Sequence, residues 1–289
     1  MIDPDKLMRW PLPPVTQAYT ERDAIVYALG VGAGMVDLDS DLRYLYEGAS
    51  GGLRVLPSMA VVLATGPFWM QDPSTGIDWR RILHGEQTLR LHRPLPPAAR
   101  VVGEQRIEKL VDKGAGKGAL MLLSRSLHDA ATGDLLATIG STVFMRGDGG
   151  FGGSPEGAPR PHPVPDDRPP DMALDLPTRA DQAALYRLSG DLNPLHIDPA
   201  IATAAGFERP ILHGLCSYGV AARAVLALLC DNDAARLARL DVRFASPVFP
   251  GETVRTEVWR EGAGRASWRA CVAGNGRVVL DHGLAEFIH

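Results

Sequence analysis

Between Gly190 and Asp198, this 289-residue chain sets a carboxylate, an amide and an imidazole, those of Asp191, Asn193 and His196, within six residues. Pro194 stiffens the segment, and a short connector held by rigid flanks is where reactive groups are commonly presented. If Asp191 and His196 point into one pocket from opposite ends of the arch, they orient a water between them. One then takes its proton while the other supplies one. Further along, His213-Gly214 opens an apolar helical run. The N–H groups of a first helical turn have no intrahelical acceptor, so a carbonyl oxygen gathering negative charge is stabilised there. Taken singly, each residue has an ordinary reading: Asp191 caps a turn, Asn193 makes an Asx turn before Pro194, and His196 is a satisfied structural histidine. Their density in one loop favours a site.

The elements that must position them follow from periodicity. Ala180, Ala183, Ala184 and Leu188 have helical spacing that stops at Gly190, and Asp198-Pro199 reads as an N-cap with its first helical residue. Residues 190–197 are thus a connecting loop. Leu215 to Leu229 is apolar nearly all round and carries Gly219, Ala221 and Ala222, as a helix wrapped by a sheet requires. The period then changes to two in Leu240/Val242/Phe244, Val254/Thr256/Val258 and Trp268/Ala270/Val272, with Asn275-Gly276 as a hairpin turn. One long helix followed by an antiparallel meander is the plan of a hot-dog fold, an α+β architecture.

The length suits two domains, and 45% apolar with 22% charged residues marks a globular chain. A net charge of −4 offers no field for gripping nucleic acid. No apolar run approaches the roughly 18–20 residues that span a bilayer, and Met1 to Arg9 carries acidic residues, Asp3 and Asp5, where a leader would be basic and then apolar. Phe287-Ile288-His289 is no peroxisomal tripeptide, so a cytoplasmic location is expected. Cys216, Cys230 and Cys271 lack disulfide or metal-ligand spacing and read as buried thiols. Residues 146–172, rich in Gly and Pro, divide a lobe at 1–145 from one at 173–289.

The halves carry matching fragments in the same order. Ala24, Tyr27 and Leu29 match Ala183, Tyr186 and Leu188, and Val55-Leu56-Pro57 lies against Ile211-Leu212-His213. The spacing of Pro94, Pro97, Val101 and Glu104 recurs in Pro247, Pro250, Val254 and Glu257. Carried forward without gaps, this register puts Gly32 opposite Asp191 and Asp37 opposite His196, so the first lobe lacks the acid and imidazole.

The string Tyr186-Arg187-Leu188-Ser189-Gly190-Asp191-Leu192-Asn193-Pro194-Leu195-His196-Ile197-Asp198-Pro199 resembles, without a gap, the signature of the MaoC-type (R)-specific enoyl-CoA hydratase 2 family. Tyr27 to Gly32, Leu83 to Gln87, Gly149 to Gly153 and Pro210 to Cys216 are similar to other segments of that family. The resemblance implies a double hot-dog fold and reversible addition of water to a trans-2-enoyl-CoA, giving the (R)-3-hydroxyacyl-CoA. It implies Asp191 and His196 as the acid/base pair, Asn193 as their orienting neighbour and the Gly214 N–H as oxyanion donor. His84, Gly85, Lys113 and Phe244 are implied as CoA and acyl contacts, Lys113 acting as a point charge for phosphate. Glu47 is a further first-lobe candidate. The degenerate first lobe is expected to shape the acyl channel for medium, long or bulky chains. No metal or other cofactor is required, since coenzyme A is part of the substrate, and a homodimer is expected.

Three other motifs lack their mechanism. Gly30-x-Gly32-x-Gly34 follows a helical pattern and no strand, Lys113 to Gly118 lacks the Ser/Thr of a phosphate loop and reads as a hairpin turn, and Ser189/His196/Asp198 has no nucleophile elbow. The rival functions are a hot-dog thioesterase and a non-catalytic acyl-CoA-binding protein.

Overall fold

Ten antiparallel strands form one continuous sheet in a computed structural model that describes residues 2–288. Met1 and His289, on which the readings of the two chain ends partly rest, lie outside the described residues. The first half contributes β1 (Val15–Tyr19), β2 (Ile82–Leu91), β3 (Ala99–Asp112), β4 (Ala119–Asp129) and β5 (Leu135–Met145). The second contributes β6 (Met172–Pro177), β7 (Leu237–Phe244), β8 (Thr253–Gly262), β9 (Arg265–Val272) and β10 (Val278–Phe287). The strand order is β1-β3-β4-β5-β2-β7-β10-β9-β8-β6, so each half uses its own strands in the same sequence and the two halves meet through β2 and β7. Those equivalent strands run antiparallel, with Leu89 opposite Leu240. The fragments matched in the sequence occupy matching places: Val101 pairs with Gln17 at one end of the sheet and Val254 with Leu176 at the other. This is the double hot-dog architecture.

Among the described residues, six α-helices accompany the sheet: α1 (Pro4–Met8), α2 (Glu21–Gly30), α3 (Leu38–Asp41), α4 (Gln182–Tyr186), α5 (Pro199–Ala204) and α6 (Gly214–Leu229). The sheet wraps α6, which is buried from Cys216 through Leu226. Gly219 has a packing reason: a Cβ there would run into Val31 and the Tyr27 hydroxyl. Arg223, the one charge in this apolar helix, is neutralised by Asp41 at 2.6 Å and also donates to the Val31 carbonyl.

Among the described residues, the first half has no α-helix at the place matching α6. Its equivalent is a 3-10 helix of six residues, Pro57–Val62, although Leu56 and Leu212 enter the two helices equally buried. The sequence accounts for the difference. β-Branched Val61-Val62 resists helix continuation, Ala64 turns into the left-handed region at φ 49°, and Gly66-Pro67 bars further helix. A smaller core, including Ile107, Leu110, Met121, Val143 and Met145, fills this end of the molecule.

The Gly/Pro-rich segment forms neither helix nor strand until β6 begins at Met172, inside the expected 146–172 boundary. It is fastened to the sheet. The Asp112 carboxylate accepts N–H bonds from Gly114, Gly150, Gly152 and Gly153, which hold its carboxyl below the usual range, Gly150 contributing most. Trp259 donates to the Arg168 carbonyl and His282 to the His162 carbonyl. The hairpin turns expected at 113–118 and Asn275-Gly276 are present, the latter with Gly276 at φ 71°.

Candidate active site

The 190–197 loop is built by local chemistry. α4 tightens into a 3-10 turn, Arg187–Ser189, that ends at Gly190 with φ 118°, a conformation side chains resist. The Asp191 carboxylate then accepts the Asn193 N–H at 3.1 Å, and the Asn193 side chain accepts from Leu195 N–H to cap a second 3-10 turn, Pro194–His196. Asp198 closes the arch by capping α5 with bonds from Ala200 and Ile201. Asn193 thus caps the turn that carries His196 while its own N–H bonds the Asp191 carboxylate.

The loop delivers Asp191 and His196 to the start of α6. One polar side-chain atom from each of Asp191, His196 and His213 lies within 4.8 Å of the other two, with Asp191 exposed and His213 1% exposed. His196 Nδ1–H donates to the Ile211 carbonyl at 2.9 Å. A carbonyl only accepts, so this bond fixes the tautomer and leaves the Nε2 lone pair available. Burial lowers the His196 pKa below 6.5, against the opposing effects of that bond and the Asp191 charge, and keeps the ring neutral near pH 7. His213, which sequence reasoning treated only as a helix start, belongs to the cluster. Its ring lies 3.8 Å from that of His196 and 5.0 Å from Tyr186, and its Nε2–H donates to the Asp191 backbone carbonyl at 3.1 Å. Burial, then the neighbouring His196, push His213 down to about 4. The three groups are of the types that ligate cations.

Gly214, the first residue of α6, packs against Phe244: a Cβ on it would lie 3.2 Å from the ring. A side chain there would displace whatever approaches the helix N-terminus. Phe244 in turn lies 4.7 Å from His84, ring centre to ring centre. His84 donates Nε2–H to the Glu86 carbonyl and is walled closely enough that desolvation lowers its pKa, although its edge reaches solvent. His84, Gly85, Lys113 and Phe244 all line one cleft of about 350 Å³, together with Arg243, Phe144 and, from the segment joining the halves, Pro155, Ala158 and Pro159. A second recess, about 310 Å³, opens on the other side of Leu83 and His84 and is walled by Phe68, Trp69, Met70, Ile82 and Val143.

Glu47 is not brought to this cleft. It sits in an exposed turn beside Tyr44, whose hydroxyl bonds the Asn232 carbonyl beyond the C-terminal end of α6, about 24 Å of helix away from Gly214. The ungapped register of the two lobes also slips. Asp37 caps α3 as Asp198 caps α5, two positions off the assumed match with His196, while Gly32 lies in a turn at φ 82° beside Arg223. The first lobe still offers no carboxylate–imidazole pair at that place.

Fold and site together define a double hot-dog protein with an acid/imidazole loop facing a helix N-terminus. Residues 163–281 match the MaoC like domain and residues 17–147 the MFE-2 hydratase 2 N-terminal domain. The chain is 44% identical over 282 residues to 3-hydroxyacyl-thioester dehydratase Y of Mycobacterium tuberculosis, covering 95% of each. It is 41% identical over 283 residues to peroxisomal multifunctional enzyme type 2 of Mus musculus, covering 96% of this chain and only 37% of that larger protein. Among solved structures, a MaoC-like dehydratase from Phytophthora capsici superposes with a TM-score of 0.87 at 37% identity, covering 99% and 98% of the two chains. The chain belongs to the MaoC-like enoyl-CoA hydratase 2 family.

Proposed function

We infer that this chain hydrates trans-2-enoyl-CoA to (R)-3-hydroxyacyl-CoA, and catalyses the reverse dehydration, with Asp191 and His196 as the acid/base pair. One observation carries the assignment of roles. The bond from His196 Nδ1 to the Ile211 carbonyl leaves Nε2 as a base beside Asp191. His196 takes a proton from the water whose oxygen bonds C3. The π electrons move toward the thioester carbonyl, whose oxygen is met by the Gly214 N–H and the dipole of α6. The water's proton, passed through the Asp191–His196 pair, is delivered to C2 as the enolate collapses, so one water is consumed and the pair is restored.

The cleft of His84, Gly85, Lys113 and Phe244 suits coenzyme A, with Lys113 supplying positive charge, while the Arg243 guanidinium on the same wall is paired with Glu86 at 2.6 Å. The apolar recess beyond His84 suits the acyl tail, and the shortness of the first-lobe 3-10 helix favours medium, long or bulky chains. Both halves contribute, which supports lobes at 1–145 and 173–289 working as one unit. The chemistry calls for no metal or separate cofactor. A homodimer and a cytoplasmic location complete the proposal, and three buried free cysteines fit a reducing compartment. No helix among the described residues is long and apolar enough to cross a membrane.

Crotonyl-CoA with a free-thiol reagent tests the reading. Enoyl absorbance is expected to fall without thiol release, whereas release would mark a thioesterase and no change a binding protein. Asp191→Asn is expected to lower kcat by about 10²–10⁴. Its fold should persist, because the amide oxygen still accepts the Asn193 N–H. Full turnover by that variant would remove Asp191 from the mechanism.

A further inference from the structure

Two arginines are buried among the described residues, Arg223 at 7% and Arg125 at 8% exposure. Arg223 has the Asp41 carboxylate. Arg125, on β4, has none: one terminal nitrogen donates to the Val61 and Ala60 carbonyls at 2.8 and 3.5 Å, and its buried Nε–H has no partner. Desolvation alone, with no acidic group opposing it, pulls its pKa down to about 10, which still leaves a full positive charge at pH 7. An uncompensated buried charge is strongly destabilising. Capping two carbonyls of a short 3-10 helix occupies only one arm of a five-donor fork.

The side chain lines the 310 Å³ recess with Gln105, Leu123, Ser141, Val143 and His84. The sheet register places these on one face: His84 faces Val143, Ser141 faces Leu123, and Arg125 faces Gln105. From His84 the recess crosses two inter-strand spacings and four residues of strand to Arg125, a backbone separation of about 16 Å. Its wall is apolar at Phe68, Trp69, Met70 and Ile82, and it acquires a guanidinium, an amide and a hydroxyl at Arg125, Gln105 and Ser141. A simple alkyl tail leaves that fork unsatisfied, whereas a carboxylate accepts from it in a bidentate pair.

We propose that Arg125 is a specificity residue that receives a carboxylate at the far end of the acyl chain, so that preferred substrates are 2-enoyl thioesters bearing a distal carboxylate. This rests on the recess holding the acyl tail. The test measures kcat/KM for pairs of trans-2-enoyl-CoA substrates of equal length, ending in methyl or carboxylate, from short to long. Wild-type protein is expected to prefer the carboxylate by about tenfold or more within a window of lengths and to lose the preference on either side. Arg125→Gln removes the preference and Arg125→Lys keeps part of it, while methyl-ended substrates change by less than about threefold. Equal rates for both series at every length, or a preference that survives Arg125→Gln, overturn the proposal. If Arg125→Gln fails to fold, the wild-type length profile decides alone. Failure of wild-type protein to hydrate either series would instead overturn the hydratase reading.

Discussion

His213 donates its Nε2–H to the backbone carbonyl of Asp191 at 3.1 Å while its ring lies 3.8 Å from that of His196. One buried imidazole therefore holds the backbone of Asp191 and packs against the ring of His196. It touches no reacting atom in the proposed chemistry, so it is a positioning residue. His213→Phe keeps the bulk and deletes the donor. It is expected to lower kcat by about 10²-fold, the usual consequence of misplacing a catalytic group by about 1 Å, with a smaller change in KM. His213→Gln, which retains an N–H, should recover part of the loss. Steady-state kinetics together with circular dichroism check this, and a Phe variant with unchanged kcat would reduce His213 to packing.

The same two rings set a pH dependence. As base, His196 works in its neutral form, and burial lowers its pKa below 6.5, so the acid limb of kcat/KM should fall below pH 6.5. Stability moves in the same direction. His213 has a folded-state value of about 4 against 6.5 unfolded, so on acidification the unfolded chain takes up its proton first. Stability is full above pH 6.5, declines as pH falls toward 4 and loses up to about 3 kcal/mol from this group. Urea midpoints across that range measure it. His213→Phe should flatten the decline, and a steeper one would contradict the assignment.

Much of the site was legible because its structure is local. Gly190, Asn193-Pro194 and Asp198-Pro199 make turns and caps whose partners lie two or three residues away, so residue type nearly dictates geometry. The duplication was legible because Val101 and Val254 must each face a core in a repeated sheet. The missing signals are long-range. Nothing near Arg223 in the chain announces Asp41, although a lone arginine in an apolar helix demands a partner. Arg125 is flanked by Ser124 and Ser126 on β4 and shares its face with Leu123 and Leu127, and nothing local shows which carbonyls or recess it meets. His213 was visible as a helix start, but its ring contacts depend on how the loop folds back across α6. Glu47 failed for the same reason, since its neighbours anchor to the far end of that helix.

The Arg223–Asp41 pair gives a prediction for stability. Asp41 also accepts the Gly34 N–H at 2.7 Å, tying the turn after α2 to the middle of α6. Removing the acid leaves a buried guanidinium with only the Val31 carbonyl. Asp41→Ala is expected to cost about 3–5 kcal/mol in urea unfolding. The double variant Asp41→Leu/Arg223→Met removes both charges and should recover most of that loss. Equal destabilisation of the single and double variants would show that packing, and not the stranded charge, sets the cost.

Lys113 tests which part of the substrate the cleft holds. It is exposed, its Nζ lies 5.1 Å from the centre of the Phe144 ring, and it begins the turn between β3 and β4 that lines the cleft. An exposed charge meeting a phosphate contributes little and is screened by salt, so Lys113→Gln should raise KM for an enoyl-CoA by roughly two- to fivefold and leave kcat unchanged. The increase should shrink as ionic strength rises and vanish for the corresponding N-acetylcysteamine thioester, which lacks phosphates. An equal rise in KM for both thioesters would place Lys113 against the acyl portion. A loss confined to kcat would make it part of the reaction itself.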